Sequence, residues 1–130
     1  MPDDAPAATT TVLVVEDDPR IASFMNKGLR ASGFDCEWVT TGTEALERIE
    51  AGGVAVQVLD LGLPDIDGLV LLRMLIDRGA SVPTVIVTAR SDPKDRRAAL
   101  ALGVSTYLTK PFAFADLLAA VRASLALAGG

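Results

Sequence analysis

The sequence predicts a doubly wound α/β fold, in which a parallel sheet is covered on both faces by helices. Three observations carry this expectation: short, nearly continuous runs of Val, Leu and Ile recur five times; helix-like segments with their own start and stop signals separate them; and the connections between the two are short. Crossovers between parallel strands place helices over both faces of the sheet, so its strands are buried twice over and read as apolar runs rather than as an alternation.

The first apolar run is Thr11–Val15. A helix follows, with Asp18 as its N-cap and Pro19 at its first position, and with Ile21, Phe24, Met25, Gly28 and Leu29 spaced to share one face; it is expected to end near Gly33. The second run is Phe34–Val39, and the helical segment after it is punctuated by Gly52. Val54–Leu59 is the third run, with its helical segment stopping at Gly79. The fourth run, Val82–Val87, leads to a helix that Asp92-Pro93 starts and Gly103 stops. The fifth run, Val104–Leu108, precedes a last helix striped by Phe114, Leu117, Leu118, Val121 and Leu125. Residues 1–10 are expected to be a disordered tail, 11–127 one domain, and 128–130 a C-terminal tail or the start of a linker.

At 130 residues the chain has room for one core. Half the residues are hydrophobic, yet no apolar stretch approaches the roughly 20 residues that span a bilayer, so a membrane role is not expected. Residues 1–10 lack the basic and apolar regions of a signal peptide, and the single cysteine, Cys36, lies in a strand-like run where it reads as a small buried hydrophobe; both point to the cytoplasm. Twelve basic against 17 acidic residues give a net charge of −5, the wrong sign for holding nucleic-acid phosphates directly. There is no histidine, so the commonest general base and phosphoryl carrier is missing and any phosphoryl group must come from outside.

In doubly wound sheets ligands bind beyond the carboxyl ends of the strands. Glu16, Asp17 and Asp18 follow the first run here, Asp60 the third, Thr88 and Ala89 the fourth, and Lys110 the fifth. Clustered carboxylates raise one another's pKa unless a cation lies between them, and such hard oxygen donors suit Mg²⁺, with Mn²⁺ as an alternative. Taken singly, the acidic triplet could be a solvated turn, Thr88 a strand-end hydroxyl and Lys110 a surface lysine. Gathered on one edge, they fit a carboxylate nucleophile whose phosphoryl acceptor chemistry is assisted by a metal and an ammonium.

These residues resemble the CheY-like response-regulator receiver family over residues 11–127. Four stretches carry the resemblance, in order: Val-Val-Glu-Asp-Asp at 14–18, Leu-Asp-Leu-Gly-Leu-Pro-Asp-Ile-Asp-Gly at 59–68, Val-Thr-Ala-Arg at 87–90 and Tyr-Leu-Thr-Lys-Pro-Phe at 107–112. The resemblance implies a flavodoxin-like five-stranded parallel sheet of order 2-1-3-4-5 with five helices. It implies Asp60 as phosphoacceptor, Asp17 and Glu16 as Mg²⁺ ligands with the Gly62 carbonyl as another, and Thr88, the Ala89 backbone N–H and Lys110 as phosphate partners. It further implies Thr88 and Tyr107 as the switch and a cis Lys110-Pro111 bond. Phosphorylation by a sensor histidine kinase or phosphotransfer protein would then repack the surface of the fourth helix, fifth strand and fifth helix to control an output. The only catalysis implied is the domain's own phosphorylation and dephosphorylation.

The wording is closest to the OmpR/PhoB-type subfamily, whose members carry a C-terminal winged-helix DNA-binding domain. None lies in these residues, so the output is expected in a domain absent from this sequence or in a separate protein. The subfamily's Gly-Ala-Asp-Asp-Tyr reads Gly103-Val104-Ser105-Thr106-Tyr107 here, and its last-helix Arg is Ala120. A monomer or a weak phosphorylation-dependent dimer is therefore expected. Arg90, Lys94, Arg96 and Arg97, interspersed with Asp92 and Asp95, read as a solvated face.

Three other classes of protein share part of this pattern. A haloacid-dehalogenase-type phosphatase needs a second Asp two positions after the nucleophile, where this chain has Gly62. A flavin carrier would need a phosphate-cradling loop where Glu16-Asp17-Asp18 would repel one. A pseudo-receiver, an interaction module working without phosphate, is the alternative that leaves the fold unchanged.

Overall fold

The computed structural model describes residues 10–129. Strands and helices alternate strictly: β1 (Thr11–Val15), α1 (Pro19–Ala31), β2 (Asp35–Val39), α2 (Gly42–Glu50), β3 (Val56–Leu59), α3 (Gly68–Asp77), β4 (Thr84–Thr88), α4 (Pro93–Ala101), β5 (Thr106–Thr109) and α5 (Phe114–Gly129). All strand pairs are parallel and the order is β2-β1-β3-β4-β5, as the resemblance implies.

Side-chain alternation along the strands divides the core in two. Val12, Val14, Val56, Val58, Val85 and Val87 face α1 and α5, where Met25, Leu29, Leu117 and Val121 meet them. Leu13, Val15, Leu59, Ile86 and Tyr107 face α2, α3 and α4, against Leu46, Ile49, Leu71 and Leu75. Cys36 is buried in the first layer, as a small hydrophobe would be.

Four strands start later than their apolar runs. Phe34, Val54, Val82 and Val104 lie in the connections, yet each packs against the core at the amino end of the sheet. Hydrophobicity reports burial, and these residues are buried (Val54, Val104) or partly buried (Phe34, Val82) without joining the ladder.

In α1, Asp18 accepts a hydrogen bond from the Arg20 amide and the buried side is Ala22, Met25 and Leu29. Phe24, expected on that side, is half exposed and rests at 6.0 Å from the rings of Phe112 and Phe114. Gly28 lets α1 approach α5: a Cβ there would fall 2.4 Å from Phe114 Cε1.

Helix α5 continues through Ala128 and Gly129, the residues expected as a C-terminal tail or the start of a linker. Its Ala- and Leu-rich end contains no residue that breaks a helix before Gly129. The tail expected over residues 1–10 falls, apart from Thr10, outside the described residues, as does Gly130. Among the described residues no helix is long and apolar enough to cross a membrane.

Candidate phosphoacceptor and metal site

The central strands β1 and β3 end side by side, and this sets the site. Asp60 follows β3 and its amide donates to Val15 O at 3.0 Å, which holds its backbone to the end of β1. Glu16 follows β1, with its amide donating to Val39 O at 3.1 Å and its carbonyl accepting from Trp38 Nε1 at 2.8 Å. Ligand atoms of Glu16, Asp17 and Asp60 lie within 4.8 Å of one another. Asp18 is turned away from this group as the α1 cap, while its amide donates to Glu16 Oε2 at 3.1 Å.

Lys110 approaches from β5. Its backbone amide donates to Thr88 O at 2.9 Å, the Lys110-Pro111 bond is cis, and the ammonium donates to Asp60 Oδ2 at 2.9 Å. The same ammonium is 2.8 Å from Glu16 Oε1 as an ion pair, without the alignment of a hydrogen bond. Asp60 Oδ1 accepts from the Gly62 amide at 3.1 Å. Thr88, buried at the end of β4, accepts from the Arg90 amide at 3.3 Å, and Ala89 follows it on the exposed rim.

The electrostatics follow from burial. Glu16 is only 1% exposed. Desolvation pushes its carboxyl up to about 7, against the pull of Lys110 and the Asp18 amide. Burial works in the same sense on Asp60, but the Lys110 ammonium and the Gly62 amide outweigh it, so that carboxyl is held below its usual range and stays ionised. Desolvation acts to lower the Lys110 pKa, but Glu16 and Asp60 raise it on balance, so the ammonium stays charged.

This donor set fits a divalent cation. Three carboxylates from two strand ends converge, and Glu16 Oε1 is a buried oxygen that accepts no hydrogen bond. Oxygen donors with room for water suit Mg²⁺.

Tyr107 is set apart from this cluster. It is buried, its hydroxyl donates to Arg90 O at 2.7 Å, and the Arg96 guanidinium lies 5.8 Å from its ring centroid. Arg90, read in the sequence as part of a solvated face, instead ties α3 to α4. It pairs with the α3 cap Asp67 and with Asp95 of α4, the latter at 3.0 Å. These carboxylates raise its pKa further. Sequence reasoning missed this bridge because Asp67 and Arg90 are 23 residues apart and no local spacing links them. It also missed Asp65, which accepts from the Gly42 and Thr43 amides at 2.8 and 2.9 Å and so caps α2 from another loop. On the α4–β5–α5 side, Ser105 turns inward to Thr84 O and Ser124, and Ala120 is buried; neither position offers a charged group.

A doubly wound sheet in the order 2-1-3-4-5, with an acidic pair, a further Asp and a Lys gathered at its carboxyl edge, defines a class of receiver-like domain. The response regulator receiver domain model matches residues 12–122, and the chain belongs to that family. It is 40% identical over 114 residues to the transcriptional regulatory protein BasR of Escherichia coli, covering 88% of this chain and 51% of that protein. It is 38% identical to the transcriptional regulatory protein TrcR of Mycobacterium tuberculosis, covering 88% and 44%. The chain thus spans about half the length of the relatives it matches. Among solved structures it resembles the receiver domain of the Francisella response regulator 1452, with a TM-score of 0.87 and 31% identity over 92% of this chain and 99% of that one. The CheY-like receiver domain protein of Methanospirillum hungatei gives 0.85 and 26%, covering 92% and 95%.

Proposed function

We propose that this domain takes a phosphoryl group onto Asp60 from a phosphohistidine of a partner sensor kinase or phosphotransfer protein in the cytoplasm. The observation that carries the reading is the Asp60 carboxylate, held ionised at the edge of the sheet between the Lys110 ammonium and two further carboxylates.

An Asp60 oxygen attacks phosphorus, an O–P bond forms and the N–P bond to the donor imidazole breaks. The electron pair returns to the ring nitrogen, which takes up a proton. Glu16, Asp17, Asp60 and the Gly62 carbonyl are the groups that would hold Mg²⁺ or Mn²⁺. The bound cation would neutralise charge on the phosphoryl oxygens. Lys110 supplies a second positive group, and the Thr88 hydroxyl and Ala89 N–H would donate to the new oxygens.

The partner has a surface to approach. Arg20, Ile21, Phe24, Lys110, Pro111 and Phe112 line an open cleft next to the site, with Phe24 half exposed. An apolar floor beside a reactive carboxylate suits a helix that presents its histidine to Asp60.

Phosphorylation then acts through Thr88 and Tyr107 on the α4–β5–α5 surface, whose output is an attached DNA-binding domain or a separate protein. With no charged group at Ser105 or Ala120, the domain is a monomer or a weak phosphorylation-dependent dimer on that face.

The test is intact mass after incubation with Mg²⁺ and acetyl phosphate, for wild type, Asp60→Asn and a chelated control. One added phosphoryl group that needs both Asp60 and Mg²⁺ is the expected result. A wild type that stays unmodified refutes the reaction and leaves a phosphate-independent interaction module.

A further inference from the structure

We infer that Trp38 is a positioning residue for the metal-binding loop, its indole N–H fixing the Glu16–Asp17 peptide before a cation arrives. The inference rests on the receiver reading above.

The β1 ladder ends at Val15, opposite Val39, and the Val15–Glu16 peptide is still paired by main chain: Val15 O accepts from the Asp60 amide at 3.0 Å and Val39 O from the Glu16 amide at 3.1 Å. The next peptide, Glu16–Asp17, is held instead by a side chain, with Trp38 Nε1 donating to the Glu16 carbonyl at 2.8 Å. Indole nitrogen is a donor only, so this contact has one sense.

A peptide unit is planar. Holding the Glu16 carbonyl therefore fixes the Asp17 amide in the same plane and sets the direction in which the chain enters Asp17. The Glu16 side chain is pinned separately, by the Asp18 amide on Oε2. Two adjacent ligand residues are thus set from three sides, leaving less conformational freedom to lose when an ion binds.

Trp38 stands on the edge strand β2 and is 39% exposed, so burial alone accounts poorly for an indole there. Its hydrogen bond is what reaches the site. Phe at this position keeps the ring and removes the donor.

The experiment uses the full chain as wild type and Trp38→Phe. Mg²⁺ binding is measured by calorimetry, and labelling by acetyl phosphate is followed across a Mg²⁺ titration. Loss of one hydrogen bond should weaken Mg²⁺ binding and raise the half-saturating Mg²⁺ for labelling, each by about twofold to tenfold, while the rate at saturating Mg²⁺ stays within about twofold. Trp38 is the chain's single tryptophan, so wild-type emission must also change as Mg²⁺ binds.

An unchanged Mg²⁺ affinity in Trp38→Phe overturns the inference, as does a lower saturating rate at an unaltered Mg²⁺ requirement. If Trp38→Phe fails to fold, wild-type emission decides: an indole that stays silent while calorimetry records binding overturns it. A wild type that binds no Mg²⁺ at all sinks the receiver reading and this inference with it. A wild type that binds Mg²⁺ normally beside an unaffected Trp38→Phe sinks the inference alone.

Discussion

Gly68→Ala sets two physical effects of opposite sign against each other. Gly68 opens α3, and replacing a helical glycine by alanine ordinarily stabilises a protein by up to about 1 kcal/mol. Here the new methyl would stand 2.6 Å from Leu61 Cα, 2.9 Å from Leu61 Cδ2 and 3.0 Å from Asp60 O. Two of these three atoms are backbone, in the segment that carries Asp60, and the Gly68 amide is bound to Leu61 O at 2.8 Å, so α3 cannot simply slide away. Overpacking of this kind costs about 1–3 kcal/mol, and with rigid partners the upper half of that range applies, so a net loss of roughly 2 kcal/mol is expected. With an unfolding entropy of about 2.1 cal/mol/K per residue, this lowers the Tm by roughly 8 °C. Thermal and urea unfolding measure it, with Gly62→Ala as the control because a Cβ there meets only Asp60 Oδ1, at 3.9 Å. A Gly68→Ala protein as stable as wild type, or more so, would show that helix propensity outweighs the contact with Leu61.

Three further outcomes follow from other contacts. Desolvation acts to raise the Asp65 carboxyl, but hydrogen bonds from the Thr43 hydroxyl and the Gly42 and Thr43 amides outweigh it and hold the pKa at about 2. A depressed folded-state pKa gives stability that is present above the ordinary Asp value near 3.8 and is lost as pH falls towards 2. At this exposed site the contribution is discounted for solvent screening to roughly 1 kcal/mol, and Asp65→Ala should lose it at pH 7 yet match wild type at the acid end of a urea–pH series; an equal gap at both ends would contradict the cap. Burial pushes the Cys36 thiol up to about 11, so alkylation of the native protein at pH 8 should be far slower than in urea, with equal rates refuting its burial. Lys110→Ala removes the ammonium that donates to Asp60 at 2.9 Å; because that bond is already made to the reactant carboxylate, only what Lys110 gains on the developing phosphoryl charge counts, and labelling by acetyl phosphate should slow by about threefold to tenfold, with an unchanged rate removing Lys110 from the reaction.

The parts of this molecule that were legible in the sequence are those written in local pattern. Asp18-Pro19 and Asp92-Pro93 start helices where expected, because an N-cap and a first-turn proline act within a few residues. Gly33 and Gly103 end them at φ of +98° and +92°, a backbone conformation that side-chained residues avoid. The strand ends brought Glu16, Asp17, Asp60 and Lys110 together because parallel strands in register end on a common edge. What stayed hidden needed distance information. The Asp67–Arg90–Asp95 bridge, the Asp65 cap on α2 and the Trp38 contact with Glu16 join loops more than 20 residues apart, apart from the Arg90–Asp95 pair, and their residue types are ordinary for surfaces. Phe24 was misplaced for a different reason: its spacing suits the buried side of α1, but Phe112 and Phe114 supply a second apolar surface that receives it at the rim.

The geometry also bears on which contacts can drive a switch. Moving a population from 1:99 to 99:1 takes about 5.5 kcal/mol of differential stabilisation, and only contacts made in one state count towards it. Lys110 already holds the Asp60 carboxylate, so its transfer to a phosphoryl oxygen exchanges one charge-assisted bond for another and contributes little difference. In the proposed reaction the larger change falls on the Ala89 amide, which would gain a charged acceptor at about 1.5–3 kcal/mol, while the Thr88 hydroxyl, which already helps to hold the Asp60 carboxylate ionised, would gain less. One such bond supplies only part of the shift. The residue after this pair is Arg90, whose carbonyl accepts from Tyr107 and whose guanidinium holds α3 and α4. In the proposed reaction a pull on Thr88 and Ala89 would therefore reach Tyr107 and the start of α4 through one residue of main chain, and Arg90 would be the point at which that pull is either passed on or resisted.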